Sequence, residues 1–358
     1  MNNAEYATQT IKAKAVALCV RSLTFLSSDV VELVLMPASP EQIVYREGQF
    51  LSIRLPDGAT RSYSMARGSR PDGQIVLHIK LRAGGHFSEM LRGGHVSPGD
   101  TLTALGPFGD CVWHDADATD RVLMLATGTG IAPLHAMLDS LCQRGDPLPE
   151  IHLYWGGVDA QDLYLHRWFD ALAAIEPSFH YTPVYAGPLE ARVQHVAAGS
   201  HRMTSRTRIY ACGAPAMVSE ARELFVSHGL PPERFHCDAF EPALAAQMPT
   251  TKHVTVHARG VDGACHTLSL AEGTTLMTAL SARSLMLGVC RGQCACGTCR
   301  IRVDAGSFER LPGASRQEKR LLAVLDDPDT HHRLACQITL CQDLNDITFD
   351  LPPPIDSA

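Results

Sequence analysis

The chain has 358 residues, 45% of them hydrophobic, and 38 acidic against 31 basic side chains give it a net charge of −7. That length exceeds one typical core and predicts two or three domains, while a mildly acidic chain without a basic stripe argues against nucleic acid and against an anionic membrane surface as partners. The start Met1-Asn-Asn-Ala-Glu-Tyr6 carries no charged region ahead of a long apolar run, and Ala15–Val20 is too short for a signal core or a membrane span, so the twelve cysteines are expected in a reducing cytoplasm.

Residues 12–115 read as short strands. Val30–Leu35, Phe50–Leu55 and Ile75–Leu81 alternate or run apolar between Pro-Asp-Gly, Gly-Gly and Pro-Gly-Asp turns, and residues 15–34 read as a hairpin. Short strands with regular turn signals predict an antiparallel β-barrel. Within it, Arg61-Ser-Tyr63-Ser64 places a cation and an aromatic plane on one strand face. Arginine suits a phosphate because its charge is permanent and its fork bidentate, and tyrosine can cover a flat ring; an exposed strand with a cross-strand aromatic pair has the same pattern. Gly84-Gly85-His-Phe-Ser88 then opens a short helix, either an ordinary capped turn or a set of N–H groups that could hold a pyrophosphate. Gly106-Pro-Phe-Gly109 closes this half.

Residues 116–240 change pattern. The buried run Val122–Ala126 leads through Thr127-Gly128-Thr129-Gly130 into a helix over 133–142, and strands at 151–155, 181–185 and 208–211 alternate with helices at 163–174 and 217–228. This predicts an α/β domain with a parallel sheet. Taken alone, a Gly-Thr-Gly turn serves chain reversal; between a buried strand and a helix it brings backbone N–H groups to a pyrophosphate. Asp159, just past the second parallel strand, could accept from a ribose 2′-hydroxyl and would repel a 2′-phosphate. Cys212-Gly213-Ala-Pro215-Ala-Met217 follows the 208–211 strand, and Cys212, with no partnered base in sequence, reads as a positioning residue more than a nucleophile. Asp238-Ala-Phe240 ends the module, with Phe240 either a core side chain or the cover of a ligand.

The proline-flanked stretch 241–251 reads as a linker, and 252–358 as a small α+β unit with strands at 253–259, 266–270 and 299–303 and helices at 275–282 and 317–325. Its loop carries Cys290, Cys296 and Cys299 in the spacing C-x5-C-x2-C, followed after 36 residues by Cys336. Four thiolates, three from one loop and one from elsewhere, are what a [2Fe–2S] cluster requires. Gly288, Gly292 and Gly297 supply the backbone freedom that such a loop needs. A four-thiolate zinc site from Cys296, Cys299, Cys336 and Cys341 is the alternative, and it leaves Cys290 without a task. Cys294 and Cys341 fall outside the cluster spacing and read as packed or hydrogen-bonding thiols.

The Cys-x5-Cys-x2-Cys loop with Arg333-Leu-Ala-Cys336-Gln-Ile resembles adrenodoxin-type and bacterial oxygenase-partner [2Fe–2S] ferredoxins, of the β-grasp fold; plant-type ferredoxins have four residues in the first gap. In order and spacing, Arg61–Ser64, Gly84–Ser88, Gly128–Pro133, Tyr154–Gly157, Asp162–Leu165 and Cys212–Met217 resemble the ferredoxin–NADP reductase superfamily, in which counterparts of the Tyr154–Gly157, Asp162–Leu165 and Cys212–Met217 segments hold the nicotinamide dinucleotide. The resemblance implies that Arg61 contacts the flavin phosphate, Tyr63 stacks on the ring and Ser64 lies near its reactive nitrogen. Gly84, Gly85 and Ser88 favour FAD over FMN. It further implies that Gly128, Thr129, Gly130, Gly213, Pro215 and Met217 hold the nicotinamide dinucleotide, with Thr129 and Cys212 beside the hydride path, and Asp159 favours NADH over NADPH. The whole resembles the reductase components of multicomponent oxygenases, which implies an oxygenase or hydroxylase as electron acceptor. The acidic run Asp326, Asp327 and Asp329 would help dock it. Direct reduction of a quinone or ferric chelate, and a zinc-bound interaction module on a dinucleotide-binding core, are the rival readings.

Overall fold

The computed structural model describes residues 15–39, 43–115, 121–145, 147–185, 192–240, 252–281, 283, 285, 286, 288, 292, 294, 297–324 and 331–352. One compact unit holds residues 16–51 and 63–241, and the other 52–62 and the C-terminal segment from Pro242.

The barrel strands are β1 (Ala15–Phe25), β2 (Val30–Pro37), β3 (Phe50–Arg54), β4 (Thr60–Ser64), β5 (Ile75–Lys80) and β6 (Thr101–Phe108), in the order β4-β3-β6-β1-β2-β5. β1 and β2 form the expected antiparallel hairpin. On β2, Val31, Leu33 and Leu35 are fully buried and pair with Ile79, Leu77 and Ile75 of β5. Period-two burial of this kind turns one strand face into the core. A bridge between Met65 and Leu77 joins the two edges of the sheet and curls it into the predicted barrel. Helix α1 (His86–Arg92) follows the Gly84-Gly85 turn.

The second sheet is parallel, with β7 (Arg121–Thr127), β8 (Glu150–Gly157), β9 (Phe179–Tyr185), β10 (Thr207–Gly213) and β11 (Phe235–Ala239) in the order β11-β10-β7-β8-β9. Both faces are covered, which is why β7 reads as an unbroken apolar run. Val122, Met124 and Ala126 pack against α2 (Ile131–Arg144) and α3 (His166–Ile175). Leu123 and Leu125 pack against α4 (Val193–Ser200) and α5 (Pro215–Ser227). α3 begins three residues later than the pattern predicts, because Leu163–Leu165, apolar in sequence, form the exit of a separate turn, Ala160–Asp162, that Asp159 caps. α4 and the edge strand β11 have no strong periodic signal and were not expected.

The C-terminal sheet is mixed. Strands β12 (His253–Arg259), β13 (Cys265–Ala271), β14 (Arg300–Val303), β15 (His332–Leu334) and β16 (Ile347–Asp350) run in the order β13-β12-β16-β14-β15, with β12 and β16 parallel. Helices α6 (Leu276–Ser281), α7 (Ala305–Phe308) and α8 (Arg316–Val324) complete the unit. Val254, Val256 and Ala258 on β12 join Leu276 and Leu280 on α6 and Ile347 and Phe349 on β16 in one core. No helix of the described residues is long and apolar enough to cross a membrane.

Two buried polar clusters carry more than packing. Arg333 on β15 donates through Nε and Nη2 to the Glu318 carboxylate of α8 at 2.9 and 3.1 Å, and the Leu334 N–H donates to the same carboxylate at 2.8 Å. Both side chains are almost wholly buried. In the larger unit, His78 of β5 and His135 of α2 stack at 6.1 Å. His135 donates from Nδ1 to the Ala66 carbonyl at 2.7 Å, and His78 lies between Tyr164 and Glu32. Arg67 and Arg70, held by Asp139, are the nearby cations. Burial pushes both imidazoles below their usual 6.5, His135 the further.

Glu318→Ala strands a buried guanidinium and is expected to cost about 3–5 kcal/mol, read as a lower denaturation midpoint; a midpoint equal to wild type would show that the pair contributes nothing. For the histidines, the unfolded chain binds more protons than the folded one once pH falls below about 6.5, so stability drops as pH is lowered through that value. Thermal midpoints measured between pH 7 and 5 are expected to fall less steeply in His135→Gln than in wild type, and parallel curves would exclude His135 as a source of the slope.

Candidate functional site

The barrel contributes β4 and the turn into α1. Arg61 and Tyr63 are half-buried on β4, with Arg61 Nη1 on the Thr60 carbonyl at 2.8 Å. Tyr63 packs at 5.7 Å, tilted, against the buried ring of Phe87 on α1. Strand and helix thus set the tyrosine plane between them. Ser64 is buried, and its hydroxyl donates to the Asp238 carboxylate at 3.3 Å. Gly84 takes a positive φ of 69° and faces open space where a Cβ would stand. At Gly85 a Cβ would come within 3.1 Å of the Ser88 hydroxyl, which itself accepts from the Arg82 N–H at 3.0 Å. A side chain at Gly85 would crowd this turn, whereas the approach to Gly84 is clear.

The parallel sheet contributes the ends of β7 and β10. These strands are neighbours, but the chain leaves β7 for β8 on one side and reaches β10 on the other, so the strand order reverses between them. At such a switch point the crevice beyond the carboxyl ends is where nucleotides bind. Here the backbones nearly touch. A Cβ on Gly130 would stand 2.1 Å from the Cys212 carbonyl oxygen, and one on Gly213 would stand 2.3 Å from Thr127 Oγ1. Thr127 Oγ1 accepts from the Ala214 N–H at 2.9 Å, and the Phe240 N–H donates to the Gly213 carbonyl at 2.7 Å. Gly128, at φ 53°, has open space before it, and its carbonyl accepts from Trp155 Nε1 at 3.0 Å. Thr129 lies half-buried in the same turn.

Cys212 is fully buried, its Sγ 3.8 Å from the Sγ of Cys111. That contact and burial raise the Cys111 thiol well above its usual value. Pro215 opens α5, on which Met217 is buried in the core against β10. Asp159 lies past β8, and its Oδ1 accepts from the Gln161 N–H at 2.8 Å. Gly128, Thr129, Gly130, Cys212, Gly213 and Phe240 therefore come together around one strand-end junction, while Asp159 sits at the end of the neighbouring strand. Sequence reasoning gave no task to Asp238, Thr127 or Cys111, and placed Trp155 only as part of the Tyr154–Gly157 run that the resemblance sets at the dinucleotide. Asp238 carried a signal, being an acid placed directly before the aromatic end of the module.

In the smaller unit, Cys299 and Cys336 are buried, and the Ala335 N–H donates to the Cys299 carbonyl at 2.9 Å. Gln337 Nε2 donates to Cys336 Sγ at 3.4 Å and to the Gly292 carbonyl at 3.0 Å. Gly292, Cys294 and Gly297 all take positive φ, at 96°, 56° and 67°, the backbone of a tightly wrapped loop. Cys294 is buried among the core side chains. Cys290 and Cys296 lie outside the described residues, as do Asp326, Asp327 and Asp329. No group of three metal-binding side chains occurs among the described residues. The buried thiols, the amide donor to sulfur and the glycine loop fit a thiolate-held cluster.

Comparison with known proteins gives three domain matches: an oxidoreductase FAD-binding domain over residues 17–113, an oxidoreductase NAD-binding domain over 124–223 and a 2Fe-2S iron–sulfur cluster binding domain over 260–341. The chain is 33% identical over 241 residues to terephthalate 1,2-dioxygenase reductase component 2 of Comamonas sp., covering 65% of this chain and 69% of that protein. It is 29% identical over 242 residues to the CDP-6-deoxy-L-threo-D-glycero-4-hexulose-3-dehydrase reductase of Yersinia pestis, covering 65% and 71%. Among solved structures, phthalate dioxygenase reductase shares the fold at a TM-score of 0.62 and 18% identity, over 94% of this chain and 98% of that one.

The junction predicts a graded response to added methyl groups. Gly130→Ala must force the turn that opens α2 away from the end of β10, whereas Gly128→Ala has room and bears only the cost of a left-handed backbone, about 1–2 kcal/mol. Thermal denaturation is expected to show the larger loss for Gly130→Ala; equal losses would contradict the close approach.

Proposed function

The chain belongs to the ferredoxin–NADP reductase family of flavoreductases that carry a C-terminal [2Fe–2S] ferredoxin domain, and we propose that it takes electrons from NADH and delivers them singly to a terminal oxygenase. It is an NAD(P)H-dependent flavin and iron–sulfur oxidoreductase with FAD and a [2Fe–2S] cluster. The observation that carries the reading is the presence of all three domains in one chain: a two-electron donor site, a flavin site and a one-electron carrier. When bound, the flavin supplies the conversion between hydride transfer and single-electron transfer.

The protein's part is placement and exclusion of water. In our reading Arg61 neutralises the flavin phosphate, Gly84, Gly85 and Ser88 admit the rest of the pyrophosphate, and Tyr63, fixed by Phe87, covers the ring. Ser64 stands at the reacting edge with its hydroxyl oriented by Asp238, a carboxylate delivered from β11. Gly128, Thr129 and Gly130 present backbone N–H groups to the dinucleotide, and Gly213, Pro215 and Met217 form the opposite wall. Thr129 and Cys212 border the hydride path; Cys212, buried behind the Gly130 contact, shapes that wall and moves no proton. Phe240, tied to the Gly213 carbonyl, closes the flavin side. Asp159 selects NADH by accepting from the ribose 2′-hydroxyl. Cys290, Cys296, Cys299 and Cys336 hold the cluster, with Gln337 donating to one sulfur. The acidic composition and abundant cysteines suit a cytoplasmic protein.

The test separates the two halves. Cys336→Ser is expected to keep NADH-driven reduction of ferricyanide, which can draw electrons from flavin, and to lose reduction of a purified oxygenase component. Retained transfer to the oxygenase would overturn the order of carriers. Transfer to a sugar dehydrase and not to any oxygenase would move the acceptor to another class.

A further inference from the structure

The turn that carries Asp159 is built as a closed hydrogen-bonded unit. Asp159 Oδ1 accepts from the Gln161 N–H at 2.8 Å, and Asp162 Oδ2 reaches back to accept from the Val158 N–H at 2.8 Å and the Asp159 N–H at 3.3 Å. The two aspartates thus cap each other's backbone. Gly157 makes this possible, since a Cβ there would stand 2.8 Å from the Cβ of Asp162. The unit is otherwise exposed, Val158 conspicuously so, and an exposed five-residue turn would not hold a carboxylate in place by packing.

What ties it down comes from the barrel. Lys80, the last residue of β5, places its ammonium 3.4 Å from Asp162 Oδ1, on the oxygen that does not serve the backbone. The same ammonium pairs with Asp29 in the β1–β2 turn. Lys80 lies on the edge strand of the barrel sheet, whereas Asp159 and Asp162 follow a strand of the parallel sheet. We propose that Lys80 and Asp162 form a latch by which the flavin-binding barrel positions Asp159, making both of them positioning residues for the ribose of the nicotinamide dinucleotide.

The inference rests on the reading of Asp159 as a ribose acceptor. The Asp159 carboxylate, whose Oδ1 accepts from the Gln161 N–H, keeps acceptor capacity for a vicinal diol because an ionised carboxylate offers about four lone-pair sites, and the cap fixes its direction. The latch has a further consequence for selectivity. Asp159 and Asp162 bring two carboxylates to one short turn, which a 2′-phosphate dianion would oppose, while Lys80 compensates Asp162 on the barrel side and leaves Asp159 to face the ligand. It also ties ribose binding to the domain that holds the flavin, so that the dinucleotide is aligned against the barrel and not only against its own sheet.

The experiment measures KM and kcat for NADH and NADPH, with NAD⁺ affinity by titration calorimetry, in the FAD-loaded full-length wild type and four variants. Asp162→Ala, which removes the carboxylate oxygen that accepts from the Val158 and Asp159 N–H groups, is expected to raise KM for NADH and weaken NAD⁺ binding roughly tenfold. Lys80→Met is expected to raise KM roughly threefold, the scale of a partly exposed ion pair. In both, kcat and the flavin spectrum stay as in wild type. Asp29→Asn, which removes the other partner of Lys80 and leaves the latch, is expected to match wild type. Asp159→Ala reports on the underlying reading: a wild type that prefers NADPH, or an Asp159→Ala variant with unchanged KM, removes the ribose site and the latch with it. If Asp159→Ala raises KM while Asp162→Ala and Lys80→Met do not, the ribose site stands and the latch is overturned.

Discussion

Where β7 and β10 end, their backbones meet closely enough that only glycine fits at Gly130 and Gly213. Gly130 lies against the Cys212 carbonyl and Gly213 against Thr127, and a methyl group at either would overlap backbone or side-chain oxygen. This is a van der Waals constraint, indifferent to charge or polarity, and it explains why glycine recurs here while the strands on both sides are densely apolar. Close approach brings the first turn of α2 and the start of α5 to one junction, and the hydrogen bonds from Ala214 to Thr127 and from Phe240 to Gly213 lock it. Once the junction is fixed, so is the crevice at the switch point of the sheet. Asp238, one residue before β11 ends, is then delivered to Ser64 of the barrel.

The C-terminal unit solves a different problem. In the proposed reading, Cys336, in the turn just past β15, has to be held in register with the loop that supplies the other cluster thiolates, without burying an uncompensated charge. Arg333 and Glu318 do this as a bidentate pair, and the Leu334 N–H joins the same carboxylate. β15 is only three residues long, so its own ladder to β14 is weak support. The pair fixes the backbone two residues before Cys336, and the Ala335 N–H fixes it again on the Cys299 carbonyl. Chemistry sets the reason for having such a unit in the chain at all: nicotinamide gives up two electrons together, and a [2Fe–2S] cluster takes one.

Much of this was legible in the sequence, and for identifiable reasons. Val122–Ala126 is apolar at every position because both sheet faces are covered, and the following Gly-Thr-Gly could then be placed on a strand-to-helix turn. The cysteine spacing was legible because thiolate chemistry leaves few alternatives. Residues whose task depends on distant partners were not. Asp238 meets Ser64 across 174 positions, Lys80 meets Asp162 across 82, and neither pairing leaves a local pattern. α4 and β11 were missed because Val193–Ser200 is only weakly amphipathic and β11 lies at a sheet edge, where burial alternates poorly. The start of α3 was misplaced because Leu163-Tyr-Leu165 is apolar and reads as the first turn of the helix, whereas it forms the exit of the turn that Asp159 caps.

The most direct test of the electron path is an anaerobic NADH titration of the fully loaded protein, with visible absorbance following flavin and cluster together and EPR on the endpoint. Bleaching of the flavin accompanied by a reduced [2Fe–2S] signal is the predicted result. A flavin that bleaches while a fully loaded cluster stays oxidised would contradict it, and would leave the ferredoxin domain outside the path from nicotinamide to acceptor.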